Sequence, residues 1–233
     1  MRFRRTLRLL VVPALALALA CDDKGTDPDP PVVPTQPEDA ITRLIWAYEN
    51  QRATEYEALF TGDFVFEFSN SADPTLANQW STGWFKSDEV LAARHLFQGG
   101  VNLDGKYLPP ASSIDLIFTK TVPVADTEGR DSTRYRVLST PVDAVVVALP
   151  DSTGAEPTRY IVMNNSHRFY LVRGDAANGL TPSQPADSVH WYIWAWRDET
   201  VGFRVPAGRG ADAAAVPTPT VPTTWGKVKG VYR

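Results

Sequence analysis

The residues best placed to do chemistry in this 233-residue chain share one alternating stretch, Arg159–Val172. Side chains of a strand point to opposite faces in turn. His167 therefore shares a face with Ile161, Met163, Asn165, Phe169 and Leu171, while Tyr160, Asn164, Ser166 and Arg168 take the other. An imidazole and an amide on an otherwise apolar face suit an acid/base or ligand-orienting pair in a pocket, His167 as base and Asn165 holding the substrate. Two core polars satisfied by the backbone or by each other fit the same pattern. Asp63, directly after Gly62, is a second candidate base and equally a turn residue. His95, one helical turn after Leu91, reads as a ligand contact at a pocket rim or as packing. Trp46, Tyr48, Trp80 and Trp84 are candidate walls for an apolar or ring-shaped ligand, or plain core.

Other chemistries lack their residues. His95, His167 and His190 are far apart and form no HExxH or HxxxH pair, and the single cysteine, Cys21, precedes the fold, so no metal site is expected. No G-x-S-x-G elbow occurs, and no glycine-rich phosphate loop opens a helix, so neither a nucleophile nor a cofactor is called for.

The elements that must position these residues follow from periodicity. Asp39 is a candidate cap for a helix carrying Ile41, Leu44, Ile45 and Tyr48 at i, i+3, i+4 and i+7. Thr54-Glu55-Tyr56-Glu57 has the form of a capping box for a second, short helix that stops at Gly62. Phe64, Phe66 and Phe68 then alternate as a half-buried strand. Ser87 is expected to cap a third helix, Asp88–Phe97, with its exit at Gly99-Gly100. After Pro110 everything reads as strand: Ile114–Val122, Thr133–Leu149, Arg159–Val172 and Val189–Arg197. Short glycine-bearing turns make the first three antiparallel neighbours. Pro141, within the longest, predicts an edge position or a bulge. Trp191, Tyr192, Ile193, Trp194 and Trp196 load both faces of the last strand, which asks for a second cover, from a partner's sheet or the chain's own tail.

Residues 1–20 carry Arg2, Arg4, Arg5 and Arg8, then the apolar run Leu9–Ala20. The run is too short for a bilayer, which needs about 20 apolar residues, and reads as a secretory signal. Ala18-Leu19-Ala20-Cys21 resembles the bacterial lipobox, which implies lipidation of Cys21 and a cell envelope address. Cleavage before Cys21 removes four Arg and no acid, taking the formal charge from −4 to −8. Such a chain is a poor partner for nucleic acid. Residues 21–38 form a Pro- and Asp-rich tether of roughly 50 Å at ~3.1 Å per residue. Residues 39–205 are expected to fold, and 206–233 to form a Pro/Ala/Thr spacer and a tail, Trp225–Arg233, that either docks back on the domain or is a flexible or partner-binding end.

Helices first and a meander afterwards is an α+β order. The passage Ala58-Leu59-Phe60-Thr61-Gly62-Asp63-Phe64-Val65-Phe66, the Ser87–Phe97 helix and the strand Trp191–Asp198 resemble the nuclear transport factor 2-like (NTF2-like) superfamily, which includes SnoaL-like and ketosteroid-isomerase-like proteins. The resemblance implies helices in the concavity of a strongly curved antiparallel sheet, a cone whose open end is a pocket. It implies a hydrophobic small molecule as ligand and, as in relatives, a homodimer through the sheet face. Two functions follow as expectations: an envelope-anchored binding or scaffold protein, or a SnoaL-like isomerase, dehydratase or hydrolase using His167 or Asp63.

Overall fold

Helix α1 (Pro37–Glu49) buries Ala40, Ile41, Leu44, Ala47 and Tyr48, one stripe at helical spacing. Its start differs from expectation. Pro37 occupies the first turn, where a missing N–H costs nothing, and Asp39 lies inside the helix, accepting from the Gln36 N–H at 2.9 Å. Helix α2 (Ala53–Glu57) follows Arg52, which leaves Thr54 within the helix rather than capping it. Strand β1 (Phe60–Glu67) runs through Gly62 instead of starting after it. Glycine is needed there for close approach: the Gly62 N–H donates to the Asn178 carbonyl at 3.1 Å, and a Cβ would stand 2.4 Å from the Gly179 oxygen.

A helix absent from the sequence reading, α3 (Pro74–Gln79), and the two-residue strand β2 (Trp84–Phe85) lead into α4 (Lys86–Gln98). Ser87 again lies inside the helix, and the Asp88 carboxylate accepts from the Phe85 N–H at 3.0 Å. At both helices a carboxylate in the first turn does the capping, where it also meets the positive end of the dipole.

Strands β3 (Gly100–Val101) and β4 (Tyr107–Leu108) make a small hairpin. Strands β5 (Ser113–Phe118), β6 (Val122–Val124), β7 (Tyr135–Leu149), β8 (Thr158–Val162), β9 (Asn165–Arg173), β10 (Trp191–Asp198) and β11 (Thr220–Pro222) join β1 and β2 in one sheet. A last helix, α5 (Trp225–Tyr232), ends the chain. The computed structural model describes residues 29–31, 33–71, 73–150, 158–162, 165–199 and 220–233. The signal, Cys21 and residues 206–219 of the spacer lie outside the described residues, as do Met163, Asn164 and the side chain of Asn165.

Strand β7 is the spine. Its first half lies between β6 and β9, its second between β5 and β8, all antiparallel, and β10 extends β9 antiparallel. Two pairings depart from the expected antiparallel pattern: β1 runs parallel to β10, and β11 parallel to β8. The Pro141 carbonyl accepts from the Thr119 N–H at 3.2 Å, so its ring nitrogen faces the same side, the gap between β5 and β6, and no ladder donor is lost. Just beyond it β7 carries one residue more than β5. Inward parity changes there, from Thr140 and Val142 to Val145 and Val147. Tyr160 and Val162 lie opposite Val147 and Val145 and so face inward with them, whereas unbroken alternation placed Ile161 inside.

Helices α1 and α4 pack on the sheet and α5 packs against α4, an α+β arrangement with a large mixed sheet. Both faces of β10 are covered. Inside, Ile193 and Trp196 join the main core with Trp225 of α5. Outside, Arg130, from the connection between β6 and β7, lies over Trp194 with its guanidinium carbon 4.6 Å from the ring centre and also over Tyr170 at 5.6 Å.

Candidate functional site

The core between the sheet and the helices holds a run of polar groups that starts on α1. Tyr48 and Tyr56 hydroxyls stand 2.8 Å apart. Tyr56 donates its only proton to Glu89 Oε1 on α4, so Tyr48 must be the donor to Tyr56. Trp84 Nε1 donates to the other Glu89 oxygen at 2.8 Å. Burial, with the Glu89 charge adding to it, pushes both phenols well above the ordinary tyrosine range.

Lys229 of α5 completes the run. Its ammonium is 2.7 Å from Glu89 Oε1, with side chains 3% and 0% exposed. It also sits 3.6 Å from the centre of the Trp196 ring and 3.7 Å from that of Phe66. Desolvation pulls the Lys229 pKa down to about 8, while Glu89 and Asp198 act to hold it up. The amine therefore keeps its charge at neutral pH.

His167 faces the same interior, 1% exposed, its ring 5.5 Å from Trp196 in an edge contact. Asp198 is its register partner across β9 and β10. Burial lowers the His167 pKa to about 4, Asp198 opposes this and Lys229 adds to it, so the imidazole is neutral at pH 7. Neither ring nitrogen has a hydrogen-bond partner among the described residues.

The other sequence candidates scatter. Asp63 is exposed on the outside of the sheet, accepting from the Asn178 amide at 3.2 Å, and is not brought to His167. Asn165 pairs with Val142, but its side chain lies outside the described residues. Trp84 and Tyr48 belong to the interior run. Trp80 is at the rim, edge-on to Trp84 at 5.1 Å and covered by the Arg233 guanidinium at 4.1 Å. Trp46 is half-buried at the margin of the core. His95 Nδ1 donates to the Tyr232 carbonyl at 2.7 Å and so ties down the end of α5. Among the described residues, no three His, Cys, Asp or Glu stand where they could share a metal ion.

Glu89, Tyr56 and Lys229 were not among the sequence candidates, yet two of them left a signal. Glu89 belongs to the stripe Glu89, Ala92, Ala93 and Leu96, and Lys229 to Trp225, Val228, Lys229 and Tyr232, each at i, i+3, i+4 and i+7. An acid on one apolar stripe and a base on another are candidates to neutralise each other.

A cleft of about 750 Å³ opens beside α5, between it, α3, β4 and the adjoining ends of β7 and β8. Leu76, Leu108, Leu149, Tyr160, Val228 and Tyr232 line it, with Lys106 and Lys227 among its polar residues.

No protein-family model matches the chain. The search of curated proteins finds no similar sequence. Solved structures give loose likenesses. A protein of unknown function from Mycobacterium tuberculosis overlaps at a TM-score of 0.40 and 13% identity, over 84% of this chain and 80% of that one. An NTF2-like protein of unknown function in nutrient uptake from Rhodospirillum rubrum gives 0.39 and 15%, over 70% and 97%. An NTF2-like protein from Cytophaga hutchinsonii gives 0.37 and 9%, over 70% and 94%. The NTF2-like name that the last two carry is that of the superfamily which the residue pattern resembles.

Proposed function

We propose that the protein is an envelope-anchored binding protein that takes an apolar small molecule in the cleft beside α5. The observation that carries this reading is that α5 packs into the main core, with Trp225, Val228 and Tyr232 buried there. An enzyme of this architecture needs its substrate to reach a base, and His167 is 1% exposed behind Trp196 and α5. What stays open is the cleft, with a largely apolar lining and a few polar groups, the usual composition of a ligand pocket. The basic signal, Cys21 and the Pro-rich segment after it support an anchored form that presents this cleft outside the cytoplasm.

A thermal-shift screen of hydrophobic small molecules tests the cleft. A ligand at 100 times its Kd stabilises by about 2.7 kcal/mol. Leu76→Trp, which fills the cleft from α3, removes the shift. The absence of a shift across the screen, or an equal shift in the filled variant, contradicts the reading.

A further inference from the structure

Lys229 occupies a site that is complete without it. The Glu89 carboxylate is fixed in place by two donors, Tyr56 Oη and Trp84 Nε1, and both come from elements other than α5. The Trp196 and Phe66 ring faces, on β10 and β1, stand 3.6 and 3.7 Å from the ammonium and turn their negative quadrupoles toward it. Every group that recognises the cation except the third ring, Trp225 at 5.7 Å, thus belongs to the body of the fold, and the cation itself arrives on the last helix. A buried carboxylate with no counter-charge is costly, so this box is built for a positive occupant.

From this we propose that the cone interior is a binding site for a primary alkylammonium, with Lys229 as its tethered occupant. Distances set the class. At 2.7 Å from Glu89 Oε1 the nitrogen has no room for a methyl group between it and the oxygen, so a quaternary ammonium does not fit. The walls exclude water, which favours an amine borne on an alkyl chain like that of lysine. Because α5 delivers its amine at high effective concentration, it competes with any free amine, and a ligand gains the site only as α5 leaves it. The site shares no lining residue with the cleft, and its test needs no cleft ligand.

Lys229→Ala in the full chain, titrated with n-butylammonium chloride against sodium chloride at equal ionic strength, is the test. The probe replaces the missing side chain, so it raises the Tm of Lys229→Ala by a few degrees in a saturable way. It leaves the wild type unmoved, tetramethylammonium does no more than sodium, and the Glu89→Gln/Lys229→Ala double variant does not respond. If Lys229→Ala does not fold alone, recovery of its near-ultraviolet circular dichroism on adding n-butylammonium reads the same binding. No specific response in either form, or an equal response in the double variant, overturns the proposal.

Discussion

His167 gives the core a pH dependence on the acid side of neutrality. Its pKa is lowered to about 4 in the fold against an ordinary value near 6.5. Between those values the unfolded chain binds more protons than the native one, so stability rises with pH. The contribution is complete above about pH 6.5 and is lost as pH falls through 4, up to about 3 kcal/mol from the shift. His167→Leu should therefore show a flatter urea-midpoint profile between pH 4 and 6.5 than the wild type, and parallel profiles would count against a buried neutral imidazole. The position of His167 was legible because alternation is local: Phe169 and Leu171 share its face, as read from the sequence. Glu89 was not singled out, because its partner on α5 is distant in sequence and no local pattern joins them.

Helix α5 is the element on which the interior depends. Trp225 packs edge-on to Tyr48 of α1 at 5.2 Å, and Gly226 passes so close to Phe68 that a Cβ would lie 2.7 Å from the ring. Its start is capped by the Thr224 hydroxyl, which accepts from the Lys227 N–H at 3.2 Å. Its end is held by His95 and by Arg233 Nε, which donates to Asp88 at 2.8 Å. Burial of Trp225, Val228 and Tyr232 contributes roughly 1.5–3 kcal/mol each before entropy is subtracted. Deleting residues 225–233 should thus lower the thermal midpoint steeply, and Gly226→Leu should do so in part. A deletion product as stable as the full chain would refute this. The tail was expected to dock from its Trp, Val and Tyr content, whereas its helical form was not, since Gly226 and Gly230 within eight residues weigh against a helix. The helix caps were misplaced by two or three residues, at α1 and α4 because the carboxylates reach back from inside the first turn.

At the scale of the molecule, the α+β architecture was readable from helices followed by strands, whereas α3 and the helical form of α5 were not. The parallel pairings were not, because β10 and β1 meet from distant parts of the chain. The anchoring reading concerns the whole protein and rests on Cys21. Cys21→Ser should leave an unacylated, soluble product while the wild type partitions into detergent, and equal partition would remove the anchor. Folding kinetics give the Thr224–Asp73 bond, which spans 151 residues, a further meaning. Folding speed falls as native contacts become less local, and here the contacts that close the core join α5 and its flanks to residues 145 and 151 positions earlier. The chain can form α1, α4 and most of the sheet and still have its acidic interior unsealed. Docking of α5 thus sets the moment at which this core finishes folding.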